Sequence, residues 1–130
     1  MIALDTNIII YPFESGPKRA PAIELLNEEA VLSVQALNEY AHSVRRKYRR
    51  EWSDLAQDLE AIREAVGGIA PVTDGANREA LRLVQRYRLS FFDSVLLAVA
   101  LESGVQTLYS EDMQHGLVID GTLRIVDPFR

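Results

Sequence analysis

Four acidic residues stand where an α/β chain concentrates its chemistry. In parallel α/β folds ligands bind outside the carboxyl ends of the strands, so residues directly after predicted strands are weighed first. Asp5 follows the apolar run Ile2-Ala3-Leu4, and Asp112 lies just past a second such run, in Leu108-Tyr109-Ser110-Glu111-Asp112. Glu39 falls one turn into a helix expected after another strand, and Asp93 stands at the start of an apolar helix. All four can reach one end of a sheet. Carboxylate oxygens are hard ligands suited to Mg²⁺ or Mn²⁺, and converging carboxylates raise one another's pKa unless a cation offsets them. Each acid also has a plain structural reading. Asp5 and Asp93 can be N-caps, Glu39 shares a polar helix face with Gln35, His42 and Arg46, and Asp112 can be a loop residue.

The elements that must position these acids are legible from hydrophobic period. Ile2 to Leu4 reads as a buried strand, and Asp5-Thr6-Asn7 starts a helix that Pro12, Gly16 and Pro17 break. Helical spacing resumes over Ala20 to Ala30, and Val31 to Val34 reads as a second strand. Leu37, Ala41, Val44 and Tyr48 predict an amphipathic helix from Gln35 to about Arg50. Leu55, Leu59, Ile62 and Val66 predict another, with Gly67-Gly68 in the place of a C-cap glycine. Ile69 to Val72 is a third strand, and Thr73-Asp74 caps a helix burying Ala76, Ala80, Leu83, Val84 and Tyr87. Asp93 opens a nearly all-apolar helix ending at Gly104, and Thr107 to Tyr109 and Leu123 to Val126 are the last strands. This alternation predicts an α/β domain over residues 1–130, with a central, mainly parallel sheet and helices on both faces.

Composition bounds the function. With 130 residues, 48% of them hydrophobic and 25% charged, the chain has the balance of one soluble globular domain. It has no cysteine, which excludes disulfides, thiolate zinc sites and cysteine nucleophiles together and fits a cytoplasmic address. The apolar N-terminal run lacks a basic leader, so no signal peptide is expected, and Val95 to Leu101 is too short for a membrane span. Phosphate-binding G-x-x-x-x-G-K-[ST] and dinucleotide G-x-G-x-x-G patterns are absent. Fourteen basic against nineteen acidic residues give a net charge of −5, which at first argues against nucleic acid, yet the four acids above account for four of those five charges.

Four segments, Leu4-Asp5-Thr6-Asn7, Leu32-Ser33-Val34-Gln35-Ala36-Leu37-Asn38-Glu39, Phe92-Asp93-Ser94-Val95-Leu96-Leu97-Ala98 and Tyr109-Ser110-Glu111-Asp112, occur in this order. Together they resemble the successive acidic motifs of PIN-domain ribonucleases, above all the VapC-type toxins of VapBC toxin–antitoxin pairs. The resemblance implies a three-layer PIN-like fold and metal-dependent hydrolysis of RNA phosphodiester bonds. It makes Asp5, Glu39, Asp93 and Asp112 the catalytic, metal-holding cluster for Mg²⁺ or Mn²⁺. Asp5, Glu39 and Asp93 would hold the principal ion, and Asp112 would complete the site or orient the attacking water. Thr6, Asn7 and Ser110 match the family's supporting polar positions. The resemblance also implies a homodimer packed through helices, and a VapB-like antitoxin whose C-terminal segment covers the acidic pocket.

Arginines supply the counterpart that RNA needs, because their forks grip phosphate in a bidentate way. Arg45, Arg46, Lys47, Arg49 and Arg50 form a run on the helix of Glu39, and Arg78, Arg82 and Arg86 form an i, i+4, i+8 stripe. Arg46, seven residues after Glu39 on the same face, is the leading phosphate contact, with Arg82 and Arg86 beside it as candidates. His42 and His115 read as surface or loop histidines, and Trp52 as a core-edge or self-association residue. Two other classes compete. A Mg²⁺-dependent phosphohydrolase or receiver-like domain also has an aspartate after strand one. The haloacid dehalogenase type, however, needs a second aspartate where Asn7 stands, and both rivals need a downstream lysine, whereas no lysine follows Lys47. The other is a non-catalytic binding module, against which the presence of all four acids counts.

Overall fold

A computed structural model describes residues 1–130. The first strand, β1 (Ile2–Leu4), passes at once into α1 (Thr6–Ile10), with Asp5 as N-cap accepting from the Thr6 amide at 2.6 Å. Pro12 then sits in the first turn of a short 3₁₀ segment, Tyr11–Phe13, where its missing N–H costs nothing. α2 (Arg19–Leu26) stops earlier than its spacing predicts, because Ala30 is already the first residue of β2 (Ala30–Ser33), paired with Ile2. Ser33 caps α3 (Val34–Tyr48), accepting from the Gln35 amide at 3.0 Å, so Val34 belongs to the helix and not to the strand.

α4 (Trp52–Ala65) leads into β3 (Gly68–Ala70) without the glycine C-cap that Gly67-Gly68 suggested. The chain is extended at Val66, and neither glycine has a positive φ. Gly67 is instead a point of close approach: its amide donates to the Ala30 carbonyl at 2.8 Å, and a Cβ there would lie 3.1 Å from that same oxygen. Thr73 caps α5 (Asp74–Tyr87), as its position before the apolar stripe predicts. α6 (Phe91–Glu102) begins two residues before Asp93, because Ser90 is its N-cap and accepts from the Asp93 amide at 3.3 Å. Gly104, at φ +74°, ends it in the left-handed conformation that glycine tolerates. β4 (Thr107–Tyr109), β5 (Val118–Ile119) and β6 (Leu123–Val126) complete the sheet. Two-residue β5 is too short to leave a periodic signal.

The strand order is β3-β2-β1-β4-β6-β5, parallel throughout except for the β5–β6 pair. Helices flank the sheet, giving the predicted three-layer α/β arrangement. Neighbours of β1 lie later in sequence on both sides, so the connections run outward in opposite directions from the β1–β4 junction. That switch point leaves a crevice at the carboxyl ends of β1 and β4, where Asp5 and Ser110 emerge. α6 is buried along its length, from Ser94 through Ala100, which accounts for its apolar sequence all round. It packs against α5, α3 and β2.

One polar network lies inside this core. Asp58 is only 6% exposed, three residues after Leu55 and four before Ile62 on the buried side of α4. The Tyr40 hydroxyl donates to its Oδ2 at 2.9 Å, and Arg50 grips both oxygens at 2.6 and 2.8 Å. The network ties α3 and the turn after it to α4. Asp58→Ala would strand a buried hydroxyl and an arginine together, and is expected to lower the unfolding free energy by about 3 kcal/mol, the low end for broken buried pairs because Arg50 stays partly wetted. Tyr40→Phe, which leaves the Arg50 fork in place, is expected to cost about 1.5 kcal/mol. Urea unfolding of the two variants checks the order; equal stability of Asp58→Ala and wild type would show the network to be dispensable.

Candidate metal centre

The carboxyl ends of β1, β2 and β4 and the first turn of α6 bring the four predicted acids to one edge of the sheet. Asp5 is the innermost, 5% exposed, one residue past β1 with its amide still bonded to the Tyr109 carbonyl of β4 at 2.9 Å. Its Oδ1 accepts from the Thr6 amide and its Oδ2 from the Ser110 hydroxyl, each at 2.6 Å. Ser110, fully buried, uses its oxygen twice more, accepting from the amides of Asp112 and Met113 at 3.2 and 3.1 Å. A single hydroxyl therefore fixes both the first acid and the turn that carries the fourth. The Thr6 hydroxyl donates to Glu39 Oε2 at 3.4 Å, and the Asn7 amide donates to Asp112 Oδ2 at 3.0 Å. All three supporting residues thus touch an acid of the cluster.

The electrostatics are those of negative charges held together. Burial pushes the Asp5 carboxyl up to about 6, against the stabilising bonds from Ser110 and Thr6, and the charges of Asp93 and Glu39 add to the rise. Glu39 is raised by desolvation and then by Asp93, and Asp93 by desolvation and then by Asp112. As the side chains stand, no three of these acids close on a common point at which an ion would be ligated. The donor set nonetheless fits a hard divalent cation. It consists of carboxylate oxygens that destabilise one another, and beside them Asn7 Oδ1 is buried without any hydrogen-bond partner. An oxygen in that condition calls for a cation or a cation-bound water.

Several neighbouring residues take roles that sequence did not reveal. Glu111 precedes Asp112 but turns away from the cluster: the Tyr11 hydroxyl and the Lys18 ammonium both bind its carboxylate. Lys47 pairs with Glu14, so both lysines of the chain are held by carboxylates outside the four-acid cluster. Arg82 is bound by Glu79 and by Asp120, Arg78 by Asp74, and Arg50 by Asp58. Arg46 and Arg86 are exposed and form no ion pair, although Arg86 lies 5.6 Å from the Tyr87 ring centre. His115 Nδ1 accepts from the Asp127 amide, a loop role, and Trp52 is exposed with the Arg45 guanidinium over its ring.

A family model described as "PIN domain" matches residues 2–116. No curated protein matches the chain. Among solved structures, a toxin–antitoxin complex from Klebsiella pneumoniae superposes with a TM-score of 0.75 at 20% identity, covering 98% of each chain. The Mycobacterium tuberculosis toxin VapC20, described as cleaving the sarcin-ricin loop, gives 0.68 at 22% identity over 86% of this chain and 92% of that one. VapBC2 from Rickettsia felis, bound to a DNA fragment from its promoter, gives 0.70 at 18% identity over 98% and 100%. At these identities the structural likeness establishes the fold.

A carboxyl whose pKa is raised on folding stabilises the fold while neutral and ceases to as the pH rises through its folded value. In metal-free buffer the Asp5 contribution is therefore present below about 3.8 and lost by about 6. Asp5→Asn cannot ionise, so its stability relative to wild type is expected to rise by roughly 3 kcal/mol across that window. Unfolding in EDTA between pH 4 and 7 measures this difference; a difference independent of pH would mean that Asp5 is not the strained member of the cluster.

Proposed function

We propose that this chain, a member of the PIN-domain family, is a metal-dependent endoribonuclease that hydrolyses RNA phosphodiester bonds, with residues 1–130 acting as one nuclease domain. The observation that carries the reading is that Asp5, Glu39, Asp93 and Asp112 lie near enough at the strand ends for their charges to act on one another, beside the unpartnered Asn7 oxygen. Asp5, Glu39 and Asp93 would hold the principal ion, Mg²⁺ or Mn²⁺. A bound divalent ion supplies an acidified water and offsets charge on the phosphoryl oxygens.

The chain's own part is positioning. Asp5 is held by donors from both α1 and the turn after β4, so its oxygens keep a fixed direction. Thr6 orients Glu39, and Asn7 holds Asp112, which is the exposed member and faces the water that must enter. Attack of water on phosphorus breaks the bond to one ribose oxygen; Asp112 would orient that water, and the proton the water gives up ends on the departing ribose oxygen. Arg46 and Arg86, without acidic partners, would meet phosphates of the strand outside the centre. Arg82, bound twice over by acids, is already engaged.

The likeness to toxin–antitoxin complexes supports the role of a toxin held inactive by a VapB-like antitoxin, and a homodimeric assembly. A separate groove of about 480 Å³ among α1, α3 and α4 has a mixed lining: apolar Phe13 and Val44, acidic Glu14, Glu51 and Asp54, and basic Arg49 and Arg50. No helix is long and apolar enough to cross a membrane.

Purified protein is expected to cleave RNA in Mg²⁺ or Mn²⁺ and to stop in EDTA, and folded Asp5→Ala and Asp93→Ala to lose about 100-fold or more in rate. Wild-type rates in either variant would overturn the assignment. RNA binding measured against salt concentration separates the arginines. Arg46→Gln is expected to flatten the log–log slope by about 0.7, the loss of one phosphate contact to a single strand, while Arg82→Gln leaves the slope unchanged.

A further inference from the structure

The turn after β4 presents two adjacent acids, and the structure sends them in opposite directions. Asp112 faces Asn7 and raises the pKa of Asp93, whereas Glu111 is bound by Tyr11 and Lys18. Lys18 is itself held over two aromatic rings, 5.2 Å from the centre of Tyr11 and 5.5 Å from that of Phe129. Those rings meet edge to face at 5.3 Å and 89°. Lys18 comes from the turn before α2, Tyr11 from the turn after α1, and Phe129 from the end of the chain, beyond the residues that the family model matches.

We propose that Lys18, Tyr11 and Phe129 form a clamp on Glu111 that positions Asp112 for the metal centre. The reasoning is mechanical and electrostatic. Asp112 and Asp93 repel, and without an ion nothing but one bond from Asn7 draws the Asp112 side chain inward. The backbone must therefore be held from outside. Ser110 pins the start of the turn and buried Met113 its end, and between them the Glu111 clamp prevents the turn from swinging outward under the repulsion. An ammonium set beside two rings and bound to one carboxylate has fewer rotamers open to it than a free lysine, so it restrains Glu111. Lys18, Tyr11 and Phe129 are positioning residues, since none of them bonds to the cluster itself.

The inference rests on the nuclease reading, and Mn²⁺ binding by calorimetry, alongside RNA cleavage, tests the two separately. Lys18→Met and Glu111→Ala are expected to weaken Mn²⁺ binding by about 10-fold or more, the usual cost of losing an outer-shell partner, and to lower kcat with KM for RNA little changed. Phe129→Ala, which keeps the ion pair, is expected to give a smaller loss in the same direction. Lys18→Arg is expected to recover most of both readouts. Thermal unfolding confirms that each variant compared is folded, and Phe129→Ala and Lys18→Arg carry the test if the harsher variants are not. Wild type that binds Mn²⁺, together with Lys18→Met and Phe129→Ala that bind it equally well, overturns the clamp alone. Wild type that neither binds Mn²⁺ nor cleaves RNA overturns the nuclease reading and the clamp with it.

Discussion

A carboxylate withdrawn from water at the end of the central strand is the constraint around which this fold is arranged. Asp5 cannot be buried there without compensation, and the chain provides it from two directions: the first amide of α1 and the hydroxyl that follows β4. The first is local, one residue along the chain, but the second depends on β1 and β4 lying side by side in parallel, with Ala3 opposite Leu108 and Leu4 opposite Tyr109. The register of two three-residue strands therefore decides whether the innermost acid has its side-chain donor. Compensation is incomplete, since desolvation still outweighs the two bonds. The residual strain is the kind that functional sites store and that a cation would relieve.

Two buried acids show how context sets such a group's task. Asp58 sits in the core with a tyrosine and a forked arginine, and its charge is fully answered within the protein. Asp5 is buried to a similar degree yet has only neutral donors, while its charged neighbours are other acids. The first arrangement closes α3 onto α4. The second leaves a field that has to be satisfied from outside, and the unbonded Asn7 oxygen lies beside it. The four acids account for four of the five net negative charges, and among the arginines free of ion pairs Arg46 lies on α3, the helix that carries Glu39, and Arg86 on α5.

Sequence period and local capping determined the element types, the mainly parallel sheet and the positions of the four acids, because those signals act over a few residues. A run of apolar residues, a serine or threonine before a stripe, and an aspartate just after a strand are each complete within one turn or one strand. For the same reason β1, β4, β6 and the cap at Thr73 lie where the pattern puts them. Local signals misled where two were adjacent: Ser90, not Asp93, caps α6, and Gly67 serves a close crossing over Ala30, not a helix end.

Tertiary structure alone decided what holds Glu111 away from the centre, which arginines are free, and that Asp58 is answered by Tyr40 and Arg50. The deciding contacts join residues far apart in sequence, Tyr11 to Glu111, Asn7 to Asp112, Arg82 to Asp120. A residue's own neighbours carry no trace of such a partner, so the motif that singled out Asp112 said nothing of what Glu111 beside it would bind. Packing brings Lys18 and Phe129 to one side of the turn and Asn7 to the other. The sequence thus put acids directly after the strands, where local pattern is complete within a turn, and the packing of distant segments determined the partners of each.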